Sequence, residues 1–314
     1  MGIPFELKLP RKLDSNGVLV GWSLEHEHLK VPIGFSFGTD LYTPKTGYLD
    51  PILFEADGHI MTVAPTGAGK GTGCVIPTLL RYDGPVIVVD PKGENAAVTA
   101  RRRREMGQKV VVLDPMGITG LESDRFNPLD LLDIDNAGVT DDASMLANIL
   151  LGSEFRADRD RFWAGRGMQM IMGAMLHGLV ENREEELTLA GLVETVSKPQ
   201  EELVRMGKKM AGSPDPDLRA VGAEETLAGI IAFAQEGLAF ARGEQVRAAT
   251  TDSTFTLEEV TRGDPLSIFI VIPPEKLESH ARLLRLWISV LMSAITRRRG
   301  PPAKPTLFVL DEAA

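Results

Sequence analysis

Four short apolar runs, rich in β-branched residues, constrain the fold of this 314-residue chain more than any other feature. A run without alternating polar residues is typical of a strand that is buried on both faces, so these runs predict a parallel sheet covered by helices. Helix-compatible stretches alternate with them, which predicts an α/β doubly wound fold. The runs are VIVVD (86–90), VVVLD (110–114), SIFIVI (267–272) and TLFVLD (306–311), with HIMTVA (59–64) as a fifth predicted strand; the helices are expected over 71–81, 94–106 and 275–299.

The strand pattern is absent from about residue 136 to residue 246. Four helical stretches are predicted there, over 141–151, 161–183, 199–211 and 217–242. The chain therefore reads as an α/β core interrupted by an all-α insert. The predicted segments are a β-containing entry segment (1–57, with β-like pieces at 18–22 and 31–37), the first part of the core (58–135), the insert (136–250) and the second part of the core (251–314).

The charge distribution argues weakly against a protein that coats nucleic acid. The net charge is −10, and 141–252 contains 12 basic and 19 acidic residues, a net charge of −7. Two arginine runs, Arg101–Arg104 and Arg297–Arg299, would line a DNA channel or supply an arginine finger, or would simply be solvated helix ends.

Cys74 is the single cysteine, and no stretch is typical of a membrane span or a secretory signal, so a reducing, cytoplasmic location is expected.

The segment APTGAGKGT (64–72) has the composition of a phosphate-binding loop between a strand and a helix. Small residues let the backbone curl so that successive N–H groups converge on an anion, while Lys70 adds a positive charge for phosphates. The segment departs from G-x-x-x-x-G-K-[ST] at Ala64 and at Gly71, where either Thr72 or water would replace the missing hydroxyl. The alternative is a glycine-rich turn that binds nothing. The predicted nucleotide-binding residues are Thr66, Gly67, Ala68, Gly69, Lys70, Gly71 and Thr72.

Carboxylates follow two of the predicted strands. Asp311 is expected to hold Mg²⁺ and Glu312 to polarise an attacking water, with Lys70 as the other catalytic residue. Asp90 and Glu94 follow the strand after the loop. Either they lie beside the ligand at the carboxyl edge of the sheet, or they cap the next helix.

These motifs, in this order, resemble the coupling proteins of type IV secretion systems, the VirD4/TraG family. The resemblance covers about 55–314 and is carried by HIMTVAPTGAGKGTGCVIPTLL, VIVVDPKGE, GQKVVVLDP, FNPLD and TLFVLDEAA. Family members use G-K-G in place of G-K-S/T. The resemblance implies a RecA-like P-loop nucleotide-binding domain with an all-α insert, ATP and Mg²⁺ as cofactors, and DNA-stimulated ATP hydrolysis by a hexameric ring that passes DNA with its attached relaxase to a secretion channel.

Two classes of function follow from the resemblance. The first is an ATP-driven motor at the inner face of the bacterial membrane, which has DNA, relaxase, channel ATPases and inner-membrane components as partners. The alternative is a non-hydrolysing recruitment module, or an inactive fragment, because the sequence stops two residues after Glu312 and core strands are expected beyond it. A small-molecule kinase is disfavoured because the insert is far larger than a substrate lid needs.

Overall fold

A four-stranded parallel sheet forms the centre of this computed structural model, which describes residues 17–24, 49–54, 58–63, 65, 67–151, 158–181, 187–211 and 227–311. Its strand order is β4-β5-β3-β6, and β1 and β2 form a separate antiparallel pair. All four strands of the central sheet point the same way, so their carboxyl ends share one edge. The strands are β1 (Val18–Leu24), β2 (Leu49–Phe54), β3 (Val86–Val89), β4 (Lys109–Leu113), β5 (Leu266–Ile270) and β6 (Leu307–Leu310).

Helices cover the sheet and fill the middle of the chain. A π-helical segment, Gly71–Val75, leads directly into the short helix α1. Three 3₁₀ turns, Pro128–Leu131, Ala239–Arg242 and Pro274–Lys276, connect other elements. The α-helices are α1 (Ile76–Leu79), α2 (Glu94–Glu105), α3 (Val139–Leu151), α4 (Asp158–Glu181), α5 (Leu189–Val196), α6 (Gln200–Ala211), α7 (Leu227–Gly237), α8 (Glu244–Ala249), α9 (Leu257–Arg262) and α10 (Leu277–Thr296).

The two faces of the sheet belong to different hydrophobic clusters. Val86 and Val88 of β3 pack in a cluster with Leu79 of α1 and Ala96 of α2. Ile87, between them in sequence, points to the other face and joins a larger cluster that contains α10 and the helices of the middle part of the chain. Burial on both faces explains why β3 is a continuous apolar run.

The four apolar runs from VIVVD to TLFVLD form the four strands of the central sheet, so those predictions are confirmed. The fifth predicted strand, 59–64, is wrong: residues 58–63 are irregular, and the side chains of Met61 and Val63 are 87% and 85% exposed. Apolar composition alone does not make a strand, because a strand also needs a partner for its backbone groups. The β-like piece at 18–22 lies in β1, and the one at 31–37 lies outside the described residues.

Between 136 and 250 the described part of the chain contains only helices, turns and irregular segments. Helices α3, α4 and α6 confirm three of the four predicted helical stretches to within about three residues. The fourth prediction, 217–242, corresponds to the shorter α7 and the 3₁₀ turn after it, and its first residues lie outside the described ones. The three boundaries between the four predicted segments stay predictions. Among the described residues, no helix combines the length and the apolarity needed to cross a membrane.

Candidate functional site

The loop before α1 turns sharply at two glycines. Gly67 and Gly69 have φ angles of +79° and +83°, in the left-handed region that costs other residues about 1 kcal/mol or more. The backbone N–H of Ala68 donates to the carbonyl of Pro65 at 3.2 Å. Lys70 follows in right-handed conformation, with φ −51° and ψ −51°. A left-handed residue followed by a right-handed one makes successive N–H groups converge, which is an anion-binding arrangement.

The hydroxyl expected after Lys70 is placed differently from the usual motif. At Gly71 nothing lies within 4 Å of the position that a Cβ would take. Thr72, one residue later, is exposed, and its hydroxyl donates to the carbonyl of Gly69 at 3.3 Å. This hydroxyl therefore helps to hold the loop in the described conformation.

Two carboxylates meet at the carboxyl edge of the sheet. Val89 of β3 lies opposite Leu310 of β6, so Asp90 and Asp311 leave the sheet side by side. The backbone N–H of Asp311 donates to the carbonyl of Val89 at 3.2 Å and extends the ladder by one residue. Asn95 joins the two side chains: its Nδ2 donates to Asp90 Oδ1 at 3.2 Å and to Asp311 Oδ2 at 3.1 Å.

Asp90 is held in place by its surroundings. Its side chain is 1% exposed, and its Oδ2 accepts a hydrogen bond from the backbone N–H of Ala96 at 2.8 Å. The pKa of Asp90 is raised above its ordinary value, mainly because burial disfavours the charged form. Hydrogen bonds from Ala96 and Asn95 oppose this shift, and the negative charge of Asp311 adds to it. The residue caps the first turn of α2, as one of the two sequence interpretations expected, and it also lies beside Asp311.

The other predicted site residues are less constrained. Glu94 is the first residue of α2, and its exposed carboxylate lies where the helix dipole favours negative charge. Lys70 is half-buried at the start of the helical segment. Thr66 and Glu312 lie outside the described residues. The structure therefore brings Asp90 and Asp311 together. That the loop and these two carboxylates bind one ligand between them is proposed below.

Sequence reasoning missed Asn95. An asparagine in the first turn of a helix is ordinarily exposed, but this one is 2% exposed. Its position directly after the DPKGE motif was the available signal, because the first turn of α2 starts at the edge of the sheet where Asp90 lies.

The two arginine runs contribute mainly to the structure. Arg103 is completely buried, and Arg298 donates to the backbone carbonyl of Val260 at 2.7 Å. Arg297 pairs with Asp142. Each of these three side chains thus has partners within the fold, although only Arg103 is buried and Arg297 is exposed. Exposed positions such as Arg101 fit the alternative of a solvated helix end.

Comparison with known proteins places these features in context. The sequence profile described as type IV secretory system conjugative DNA transfer matches residues 36–314. The chain is 29% identical over 270 residues to the conjugal transfer protein TraG of Agrobacterium fabrum, covering 82% of this chain and 40% of that protein. It is 32% identical over 276 residues to the protein VirD4 of Rhizobium radiobacter, covering 81% of this chain and 37% of that protein. It thus spans about two-fifths of the length of these relatives.

Solved structures of the plasmid coupling protein TrwB share the fold. The complex with a non-hydrolysable ATP analogue has a TM-score of 0.59 at 16% identity, covering 79% of this chain and 55% of that one. The complex with ADP and Mg²⁺ has a TM-score of 0.56 at 15% identity, covering 77% and 54%. The likeness confirms the α/β, RecA-like P-loop fold.

Proposed function

The chain belongs to the family of type IV secretory system conjugative DNA transfer proteins, and we propose that it acts as an ATP-hydrolysing coupling protein that recruits DNA and drives it into a secretion channel. The observation that carries the proposal is the carboxyl edge of the sheet, where Asp311 directly follows β6 and lies beside Asp90. In open α/β sheets the ligand crevice lies at this edge.

The loop would bind the phosphates of the nucleotide. With left-handed turns at Gly67 and Gly69, the loop would direct backbone N–H groups toward one anion, and Lys70 would place its ammonium on the β- and γ-phosphates. Thr66, Ala68, Gly71 and Thr72 complete the predicted contact set. TrwB was solved with nucleotide analogues and with ADP and Mg²⁺, which supports the same ligand class for this chain.

The carboxyl edge of the sheet fits a magnesium ion, because Mg²⁺ prefers oxygen donors and the carboxylate of Asp311 offers them directly after β6. When bound, Mg²⁺ would offset the negative charge of the β- and γ-phosphates. Asp311 would hold the ion, directly or through water. Glu312 would orient the attacking water and accept its proton, and Asp90 and Glu94 would lie around this centre.

The remaining proposals concern the whole machine. DNA with an attached relaxase is the proposed cargo, and channel ATPases and inner-membrane components are the proposed partners. A homohexamer at the cytoplasmic face of the membrane would give each nucleotide site a neighbour. These assignments follow the family and the likeness to the coupling protein TrwB.

ATPase assays on the native gene product, with single- and double-stranded DNA added, test the proposed function. Lys70→Ala and Glu312→Gln are each expected to lower DNA-stimulated kcat by about 100-fold or more, since each removes a group that acts in the transition state. Glu312→Gln should still bind ATP in equilibrium dialysis.

Lys109→Ala is the matched control, because Lys109 begins β4 at the opposite edge of the sheet, where it pairs with Glu259. Its kcat should stay within twofold of the unmodified protein. Full turnover by Glu312→Gln would refute the assignment of the base. A protein that retains DNA and relaxase but hydrolyses no ATP with any DNA would instead be the non-hydrolysing recruitment module.

A further inference from the structure

The carboxamide of Asn95 uses both of its N–H donors on carboxylates of different strands. Nδ2 lies 3.2 Å from Asp90 Oδ1, at the end of β3, and 3.1 Å from Asp311 Oδ2, at the end of β6. The side chain is 2% exposed, so water does not compete strongly for these bonds. Among side chains of this size, only an amide donates two hydrogen bonds from one neutral nitrogen.

The Asp90 end of this bridge is fixed. Asp90 Oδ2 accepts from the backbone N–H of Ala96 at 2.8 Å, and the backbone N–H of Asp90 donates to Ile270 of β5 at 2.9 Å. The main chain of Asn95 is fixed as well, because its carbonyl accepts from the hydroxyl of Thr99 at 2.6 Å in the next turn of α2. Asn95 therefore reaches Asp311 from a rigid support.

The bridge also reduces an electrostatic conflict. Two carboxylates close to one buried amide repel each other, and a neutral double donor stabilises both charges without adding a third. An aliphatic side chain at position 95 would leave no side-chain donor between the two carboxylates, and Asp90 would keep only backbone donors such as the N–H of Ala96. Oδ2 of Asp311 accepts the hydrogen bond from the Asn95 amide. Oδ1 does not bond Asn95, and it is therefore the oxygen that we expect to face an ion or its bound water.

We propose that Asn95 is a positioning residue for Asp311: it fixes the orientation of this carboxylate toward the divalent metal that accompanies the nucleotide. The inference rests on the proposed function. Groups that hydrogen-bond a metal ligand from behind commonly change metal affinity by about 10- to 100-fold when they are removed. Asn95 acts through Asp311 and needs no contact with the metal or with the nucleotide.

The test is the affinity for Mn²⁺ in the presence of saturating ADP, measured by electron paramagnetic resonance on the full chain. Asn95→Leu removes both donors while keeping the number and branching of the side-chain heavy atoms. Asn95→Ala is a smaller variant, which the site should accommodate if the larger leucine does not fold. Each is expected to weaken Mn²⁺ binding by about 10-fold or more. The affinity for ADP without metal, measured by calorimetry, should change by less than twofold.

Gln108→Leu is the matched control, since Gln108 is also a buried carboxamide but lies just before β4, at the opposite end of the sheet, where its Nε2 donates to the carbonyl of Asp83 at 2.7 Å. It should leave Mn²⁺ affinity within twofold. If both Asn95 variants fold, bind ADP normally and keep Mn²⁺ affinity within twofold, the positioning role is overturned. If Lys70→Ala leaves ADP affinity unchanged, the proposed nucleotide site itself is wrong, and this inference falls with it.

Discussion

Arg103 carries a positive charge into the interior between α1, α2 and β5. Its guanidinium donates to Ser267 Oγ at 2.8 Å, to the carbonyls of Leu79 at 3.2 Å and Gly84 at 2.6 Å, and also to the carbonyl of Tyr82. Burial lowers the pKa of Arg103 to about 10, but this value is still well above neutral pH, so the guanidinium remains charged. The bonds satisfy carbonyls at and after the end of α1, which would otherwise be buried without donors.

Arg103→Met should therefore lower the free energy of unfolding by about 3 kcal/mol, because it leaves several buried carbonyls without a donor. Urea denaturation followed by circular dichroism measures the change. The control is Arg104→Met on the same helix, where the side chain is exposed and the expected change is within about 0.5 kcal/mol. Equal losses for the two variants would contradict this account.

At the scale of elements, the start of α2 positions the side chain that joins Asp90 and Asp311 at the carboxyl edge of the sheet. Gly93 precedes the helix with a φ of +70°, and a Cβ there would lie 2.6 Å from Cγ2 of Thr119. The loop that carries Thr119 is folded by Asp114, whose Oδ2 accepts from both the backbone N–H and the hydroxyl of Thr119 at 2.8 Å. The first turn of α2, and with it Asn95, is thus packed against the loop that follows β4.

Gly93→Ala is expected to lower the free energy of unfolding by about 3 kcal/mol, from left-handed strain and from the clash with Thr119 together. Gly107→Ala isolates the strain: Gly107 follows the same helix with a φ of +84°, and nothing lies within 4 Å of its Cβ position. Its expected cost is about 1 kcal/mol. Chemical denaturation compares the two, and a Gly93 variant no less stable than the Gly107 variant would rule out the close approach.

For the whole molecule, one hydrophobic cluster spans the sheet and the helical middle of the chain. Ile87 of β3, Leu146 of α3, Met170 of α4 and Trp287 of α10 all belong to it. Trp287 is completely buried, and its indole N–H donates to the carbonyl of Phe126 at 2.9 Å. Because the cluster is continuous, the sheet and the described helices are expected to unfold together.

Trp287→Ala should lower the free energy of unfolding by about 4 kcal/mol, since it opens a cavity at this junction and removes the donor for Phe126. Differential scanning calorimetry should show one cooperative transition in the unmodified protein and a lower midpoint in the variant. Met292→Ala, an exposed position on the same helix, should shift the midpoint little. Two separate transitions in the unmodified protein would show that the sheet and the helices are independent.

The local sequence determined the elements whose signal lies within the element itself. The strands β3, β4 and β5 were predictable because burial on both faces demands continuous apolar runs. The strand β6 has the same kind of run, although its residues are half-buried or exposed, and α2 and α10 were predictable because they are long. The short helices α5, α8 and α9 were not predicted, since six to eight residues give too few turns for a clear period. The carboxylates Asp90 and Asp311 were identified from their positions after strands.

The tertiary structure alone decided what depends on distant partners. The run 59–64 has the composition of a strand, yet residues 58–63 are irregular, because strand formation requires backbone pairing that composition does not specify. The order of the sheet placed β3 next to β6, although more than 200 residues separate them, and so joined Asp90 to Asp311 through Asn95. Arg103 lies in a run of four arginines, and only packing shows that it is the buried one, because burial of a charge depends on which carbonyls surround it.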